Sequence, residues 1–211
     1  MPQNLQGSLC DNMKVVVATG NKGKLREIKE LLEPLKNSVY SPAECGIDGL
    51  EVIEDGDTFE HNAMLKAVAY SKAAGMAAIA DDSGLEVDEL GGAPGVYSAR
   101  YGGDGHDDLW RVNYLLLKME NIEEAKRTAR FVSALAFAAP DGSSFVVRGQ
   151  CEGVILRQPL GDGGFGYDPV FLYEPDKLTF SQLTKERKNE ISHRAEAMRK
   201  FVTKLGEYND K

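Results

Sequence analysis

The chain has 211 residues, of which 42% are hydrophobic and 27% are charged, and its formal net charge is −8. This length and composition suit one globular domain with a hydrophobic core. The negative charge argues against a nucleic-acid-binding groove, which needs clustered lysine and arginine, but it leaves room for a small phosphate ligand held by a few local cations. No apolar run approaches the roughly 20 residues that span a bilayer, so we expect no membrane partner.

The N-terminal residues 1–13 lack the basic and apolar segments of a secretory signal, and we expect an extension before the first strand. The sequence leaves open whether Met1 or Met13 is the native start. The three cysteines and three histidines are scattered along the chain. This spacing indicates neither a disulfide framework nor a zinc site, and it fits a reducing compartment.

The first part of the chain predicts a strand, two helices and a second strand, in that order. The β-branched run 14–18 indicates a buried strand, the polar turn 19–24 follows, and apolar residues then recur at helical spacing over 25–32. Pro34 is expected to end this first helix. Together these signals place a strand, a turn and a helix N-terminus next to one another.

A second helix should begin near Asp57, whose spacing to Glu60 is that of a capping box, and should end at Gly75. The segment 76–80 then predicts a second buried strand that ends in the polar turn 81–84. Ligands of open α/β sheets lie beyond the carboxyl ends of strands. We therefore expect both polar turns to line a binding site.

The second half of the chain predicts a long antiparallel hairpin over 127–157, with its turn at 140–142. A glycine-rich loop follows at 160–167. The final helix shows an apolar face over 195–205, and Ser192 is a good N-cap for it. The fold class is accordingly mixed α/β, and not a clean doubly wound sheet.

The turn Thr19–Lys24 (TGNKGK) suits an anion site, because backbone N–H groups gather at a helix N-terminus and Lys22 and Lys24 add positive charge. It is not a Walker A loop, whose glycine and lysine spacing differs. The same pattern also occurs in an ordinary strand-to-helix turn with solvated lysines, and taken alone it does not decide between the two.

Asp81 and Asp82 offer the oxygen ligands that Mg²⁺ prefers. Neighbours on a strand point to opposite faces, so only one of the two carboxylates should face the cleft. The acidic stretch 51–57 could complete a metal site. By themselves, Asp81 and Asp82 are better explained by an acidic turn that closes a strand, and the stretch 51–57 by a solvated acidic loop.

The segment 161–166 (GDGGFG) formally matches a dinucleotide-binding motif, but Tyr167-Asp168-Pro169 follows where a helix should begin. A loop whose aromatic ring stacks on a base fits the sequence better, and aromatics anchored in the core are the alternative. Near the final helix, Lys188 and Arg194 could hold phosphate or base oxygens.

Five blocks occur in order along the chain: TGNKGKLREIKELL, EDGDTF, ADDSGLEVDELGGAPGVYSARYGG, GGFGYDPVF and ISHRAEAM. Together they resemble the dITP/XTP pyrophosphatases, the family that includes inosine triphosphate pyrophosphatase. The resemblance extends from Lys14 to Leu205. It implies a single domain over 14–206 in which a mixed, elongated central sheet is flanked by helices, with two lobes around a nucleotide-binding cleft.

The resemblance also implies an activity. Such enzymes hydrolyse dITP or ITP and XTP or dXTP to the monophosphate and pyrophosphate, by attack of water on the α-phosphate with Mg²⁺, and so clear deaminated purines from the nucleotide pool. A cytoplasmic homodimer is implied too. The segment 91–100 could line the cleft, form a dimer contact, or do both.

Roles for individual residues follow from the same resemblance. The triphosphate would lie against Thr19, Gly20, Asn21, Lys22, Gly23 and Lys24. Base and sugar would meet Phe165, Gly166, Tyr167 and Asp168, and the nucleotide site would be completed by Lys188, His193 and Arg194. Asp82 would be the catalytic carboxylate and a magnesium ligand, Glu54 a second ligand, and Ser83 a substrate contact. One departure is visible, since His61 occupies a position where the family often has glutamate.

Several alternatives stay open at this point. Asp82 could take a proton from the water or orient a metal-bound water. Donors such as His193 or Arg194 would favour 6-oxo purines over adenine, because unpaired polar groups penalise the wrong base. A pyrophosphatase for modified pyrimidines or methylated nucleotides, and a non-catalytic nucleotide sensor, are the competing functions.

Overall fold

The computed structural model describes residues 13–32 and 38–209, without the side chains of Lys22, Leu31, Tyr208 and Asn209. The strands are β1 (Lys14–Ala18), β2 (Ser38–Tyr40), β3 (Ala77–Val87), β4 (Thr128–Ala138), β5 (Ser144–Ile155), β6 (Phe171–Tyr173) and β7 (Leu178–Thr179). The helices are α1 (Lys22–Leu32), α2 (Phe59–Ala74), α3 (Asp108–Lys118), α4 (Lys185–Ile191) and α5 (His193–Asn209). Short 3₁₀ helices lie at Ala43–Cys45, Asp88–Leu90, Gly95–Arg100 and Glu124–Lys126.

The described strands form one sheet in the order β2-β1-β3-β4-β5-β6-β7. β2, β1 and β3 run parallel, whereas every pair from β3 to β7 is antiparallel. This confirms the predicted mixed α/β class with a central sheet and flanking helices. The predicted hairpin is confirmed as well, since β4 and β5 pair along their length as far as Ala138 opposite Ser144.

The sheet is covered on both faces, and strand alternation decides which helix covers which face. On β1, Val15 and Val17 pack in one cluster with Ile28 of α1 and Phe201 of α5. Val16 points the other way, into a cluster formed with α2. A third cluster joins α3 to the far part of the sheet. In the first half of β3, the odd-numbered residues therefore face α1 and α5, and the even-numbered residues face α2.

The prediction that the second strand ends at Ala80 is wrong. β3 continues through the acidic segment to Val87, and β4 pairs with it over that whole length. β1 accompanies β3 only as far as Ala18 opposite Ala80. The sheet therefore opens on the β1 side immediately before Asp81. The polar residues at 81–84 belong to a strand and not a turn, because partners distant in sequence neutralise them.

Helix α2 lies close to its predicted range, but its N-cap differs from the predicted one; Pro34, the predicted stop of the first helix, lies outside the described residues. α2 is capped by Thr58, whose Oγ1 accepts a hydrogen bond from the His61 amide at 3.2 Å, so the predicted capping role of Asp57 is wrong. At the other end, Gly75 adopts the left-handed conformation (φ 63°) as a C-cap. His61 stands at the third helical position, where a glutamate would have completed a capping box.

The C-terminal helical segment is divided into α4 and α5, and Lys188 lies on α4. Ser192 separates the two helices, and its Oγ accepts a hydrogen bond from the Ala195 amide at 3.2 Å, as an N-cap does. α5 approaches β5 closely at Gly149, where an added Cβ would lie 2.2 Å from the Ala197 nitrogen. This approach fixes the start of α5 against the sheet. Along the described ranges, we find no helix with the length and apolar character of a membrane span.

Candidate active site

A cleft of about 730 Å³ opens where β1 ends and β3 continues. Predicted site residues on its wall are Thr19, Gly20, Asn21, Lys24, Glu54, Asp82 and Ser83. Lys66, Tyr70 and Asp81 join them from α2 and β3, and Val96, Ala99 and Arg100 line the wall from the 3₁₀ segment. A cleft is therefore present beyond the carboxyl end of β1, where the sequence pattern predicts a binding site.

The turn after β1 is organised by Asn21, the residue before α1. Its Oδ1 accepts hydrogen bonds from the amides of Gly23 at 2.8 Å and Lys24 at 3.0 Å, and the Asn21 amide donates to Thr19 Oγ1 at 3.1 Å. Two of the amides expected to hold phosphate thus already have a partner. The turn places the positive end of α1 and the Lys24 ammonium at the cleft. The Lys22 side chain lies outside the described residues.

Asp82 faces α2, as strand alternation requires, and it shares a lysine with Glu54. The Lys66 ammonium lies 3.2 Å from Asp82 Oδ1 and 2.9 Å from Glu54 Oε2. The second Asp82 oxygen is buried without a hydrogen-bond partner in the described part of the chain. Burial raises the pKa of Asp82 above its usual range, although Lys66 and Lys24 oppose the shift. An oxygen with this basicity can accept a proton or bind a cation.

Two carboxylates and an unpartnered oxygen suit Mg²⁺, which in proteins is often bound by one or two carboxylates together with substrate phosphates. In the part of the chain that the structure describes, no group of three or more His, Cys, Asp or Glu side chains is arranged to hold a metal ion. Asp82 and Glu54 therefore supply part of a coordination shell, and phosphate and water would have to supply the rest.

Asp81 faces the opposite side of the sheet and lies in a buried ion network. Its carboxylate lies 3.0 Å from the Lys24 ammonium, 3.4 Å from Arg194 Nη2 and 2.6 Å from Ser133 Oγ. Burial would raise the pKa of Asp81, but Arg194 and Lys24 outweigh it and hold the pKa well below the usual range. Asp81 is accordingly a fixed anion that orients cations, whereas Asp82, which lines the same cleft, keeps one oxygen without a hydrogen-bond partner among the described residues.

Glu27 of α1 extends this network towards α4. It forms an ion pair with Arg194 and another with Lys188, whose ammonium lies 3.0 Å away. The Lys188 ammonium also lies 2.7 Å from Asp168 Oδ2. Lys188, Asp168 and Arg194 are therefore brought together, but they form a buried cluster beside the cleft and do not line its wall.

The glycine-rich loop carries the remaining predicted residues. Phe165 packs on the N-terminus of α1, where a Cβ added at Gly23 would lie 3.0 Å from the Phe165 ring. The Lys188 ammonium lies 4.9 Å from the centre of that ring. The Tyr167 ring is buried in the core, and its hydroxyl donates to the Ser98 carbonyl at 2.9 Å. Phe165 thus lies against the start of α1 without lining the cleft, and any contact of Phe165 or Tyr167 with substrate stays a prediction.

His193 and Arg194 are both buried, in different surroundings. The His193 ring stacks on Phe131 at 4.9 Å, and its Nδ1 has no partner among the described residues. Burial, and then the neighbouring Arg194 cation, hold the pKa of His193 well below its usual range, so the imidazole is neutral. The Arg194 guanidinium bonds to Asp81, Glu27 and Ser83. Contacts of either residue with a base stay predictions.

Sequence reasoning missed Lys66, Asp81 as an anchor, and Glu27. Lys66 carried a signal, because it falls on the buried face of α2 defined by Phe59, Ala63 and Tyr70, where a lysine needs a carboxylate partner. Asp81 and Glu27 gave no comparable signal, since their partners come from elements far apart in the sequence.

The fold and cleft define a mixed α/β protein in which a strand-to-helix turn lies beside a carboxylate–lysine cluster. The chain belongs to the Ham1 family, whose model matches residues 15–204. A dITP/XTP pyrophosphatase of Desulforamulus reducens is 51% identical over 191 residues, which cover 90% of this chain and 94% of that relative. The dITP/XTP pyrophosphatase of Bacillus subtilis is 48% identical, with 89% and 94% covered.

Solved structures agree with this membership. The Staphylococcus aureus Ham1 protein superposes with a TM-score of 0.81 at 40% identity, covering 91% of this chain and 97% of that chain. A nucleoside-triphosphatase, dITP/XTP pyrophosphatase, from Mycobacterium abscessus superposes with a TM-score of 0.73 at 41% identity, covering 90% and 99%. The family suggested by the sequence blocks is therefore confirmed.

Proposed function

We propose that this chain hydrolyses non-standard purine nucleoside triphosphates, dITP or ITP and XTP or dXTP, to the monophosphate and pyrophosphate. The observation that carries the proposal is the meeting, in one cleft, of the Thr19–Lys24 turn and the Asp82–Lys66–Glu54 cluster. One side offers the Lys24 ammonium and a helix N-terminus for a polyphosphate, and the other offers a proton acceptor and oxygen ligands. The relatives named dITP/XTP pyrophosphatase support the substrate class.

The phosphate tail would lie along the turn, where Lys24 and the positive end of α1 neutralise its charge. Lys24 is held in place by Asp81, so the ammonium is positioned before substrate arrives. Catalysis of phosphoryl transfer depends mainly on such positioning and on charge stabilisation. Ser83, which also lines the cleft, has its hydroxyl oriented by Asp81 and Arg194.

Asp82 is the residue that we propose to act on the attacking water. Its buried, unpartnered oxygen and raised pKa make it a better proton acceptor than an exposed aspartate. Mg²⁺, held by Asp82 and Glu54, would supply charge neutralisation at the phosphate oxygens when bound. Lys66 keeps the two carboxylates together and limits their mutual repulsion.

The base would lie against Phe165, at the end of the site where the glycine-rich loop meets α1. Hypoxanthine and xanthine carry an oxygen where adenine carries an amino group, so a donor from Lys188 or Arg194, whose buried cluster lies beside the cleft, would favour the 6-oxo bases. This arrangement leads us to expect slow ATP hydrolysis. We also propose that the chain forms a homodimer and acts in the cytoplasm on the pool of nucleotide precursors. Sedimentation of the purified chain tests the dimer.

The substitution Asp82→Asn tests the role of the carboxylate. It keeps the size of the side chain but removes the proton acceptor, so we expect kcat for dITP to fall by at least about a hundredfold. Asp176→Asn is the matched control, because Asp176 pairs with Arg187 on the surface and should leave kcat unchanged. A near-normal kcat in a folded Asp82→Asn variant would remove Asp82 from the mechanism.

A further inference from the structure

One hydrogen bond joins the glycine-rich loop to a helix that supplies no other group to the site. The Gly166 amide donates to Asp108 Oδ2, on the first turn of α3, at 2.8 Å. Gly166 adopts a left-handed conformation (φ 59°), which favours glycine at this position. The carboxylate of Asp108 is therefore an anchor for the loop from outside it.

Two successive backbone amides of the loop, those of Phe165 and Gly166, are held by carboxylates. The Phe165 amide donates to Asp168 Oδ2 at 2.9 Å, and the next amide along the chain is the one bound by Asp108. These two bonds fix the backbone on both sides of the Phe165 side chain. They thereby set where its ring lies against Gly23 and beneath the Lys188 ammonium.

Asp108 is itself held in position, and it is not needed as the helix cap. Arg111, one turn along α3, bonds to the second Asp108 oxygen and to the His106 carbonyl. The N-cap of α3 is the neighbouring Asp107, whose Oδ1 accepts the Trp110 amide at 2.8 Å. Capping and loop anchoring are thus divided between two adjacent aspartates.

We infer that Asp108 is a positioning residue for the base of the substrate, acting through Gly166 and the Phe165 ring. The inference rests on the proposed function, because it assumes that a purine lies against Phe165. The Asp108 carboxylate does not line the cleft that holds Asp82 and Lys24. Its loss should therefore weaken nucleotide binding at the base end and leave the phosphate end unchanged.

The test compares three variants of the full chain with wild type in steady-state dITP hydrolysis with Mg²⁺. For Asp108→Ala we expect KM to rise about fivefold, the factor for one lost hydrogen bond, with kcat changed by less than about twofold. Asp108→Asn retains an acceptor oxygen and should restore most of the wild-type KM. Inhibition by inorganic tripolyphosphate, which has no base, should be equal in all of them.

Asp107→Ala is the matched control, since it removes the α3 cap and spares the loop contact. It should lower the melting temperature but leave KM unchanged. The positioning role would be overturned if Asp108→Ala left KM unchanged, or if Asp107→Ala raised KM as much as Asp108→Ala does. It would also be overturned if Asp108→Ala weakened tripolyphosphate inhibition as much as it weakens dITP binding. A wild-type chain that releases no pyrophosphate from dITP would instead overturn the proposed function, and the inference with it.

Discussion

Replacing Arg194 by methionine would show what the buried ion network contributes to folding. Arg194 connects Asp81 on the sheet with Glu27 on α1, and the side chains of Arg194 and Asp81 are 1% and 0% exposed. Methionine retains much of the apolar volume of the side chain but removes its charge. The substitution therefore leaves two buried carboxylates with one cation fewer.

The expected cost follows from the contacts that remain. Removing one partner of a buried ion pair costs about 3–5 kcal/mol, because the other charge stays buried without compensation. Asp81 would keep Lys24 at 3.0 Å, and Glu27 would keep Lys188 at 3.0 Å. We therefore expect the lower end of the range, a loss of about 3 kcal/mol in the free energy of unfolding.

Urea unfolding at pH 7 measures this loss, with Arg187→Met as the matched control. Arg187 pairs with Asp176 at the surface, where the two side chains are 39% and 23% exposed, and such pairs contribute about 1 kcal/mol or less. The reasoning would be refuted if Arg194→Met lowered the free energy of unfolding by no more than Arg187→Met does.

The same substitution carries a pH signature. Arg194 helps to depress the pKa of Asp81 in the folded state. The ionised Asp81 therefore stabilises the fold at pH values above its unfolded pKa of about 3.9, and this stabilisation is lost as the pH falls through its folded pKa. The difference in stability between wild type and Arg194→Met should therefore persist at pH 7 and narrow below about pH 4. A difference that widens in acid would contradict this account of Asp81.

Two further predictions concern a buried histidine and a shared lysine. The folded pKa of His193 lies well below its unfolded value of about 6.5, so unfolding takes up a proton in mild acid. The free energy of unfolding of wild type should therefore fall by about 1.4 kcal/mol between pH 7.5 and 5.5, a fall that His193→Gln does not show. Equal falls in urea titrations of the two proteins would contradict this. Lys66→Met should lower kcat for dITP by about tenfold to a hundredfold, because Asp82 and Glu54 lose their common cation. Lys72→Met, on the exposed side of the same helix, should not change kcat, and equal effects of the two substitutions would remove Lys66 from the site.

Much of the fold was predictable because its signals are local. Strand β1, helix α2 with its Gly75 cap, the hairpin of β4 and β5, and the Ser192 cap of α5 all follow from patterns within a few residues. The continuation of β3 through Asp81 was not predictable in this way. Two carboxylates in a buried strand are stable only because Lys24, Lys66 and Arg194 reach them from other elements.

In the candidate site, too, the local features were predictable and the contacts between distant residues were not. The turn at Thr19–Lys24, together with Asp82 and Glu54, was predicted at one cleft, and the cleft is present in the structure. The sequence did not reveal that Asn21 already binds two amides of that turn. It also gave no sign that Arg194 is enclosed by carboxylates, because the chain folds back over more than a hundred residues to bring Asp81 to it.

The most direct test of the central claim is pyrophosphate release from dITP, XTP, dGTP, ATP and dTTP by the purified chain, with and without Mg²⁺. We expect fast release from dITP and XTP that depends on the metal, and little release from the other three. Equal rates on ATP and dITP would contradict the proposed base selectivity. Activity confined to dTTP or dGTP would contradict the substrate class, and no release from any of them would contradict the catalytic role of the cleft.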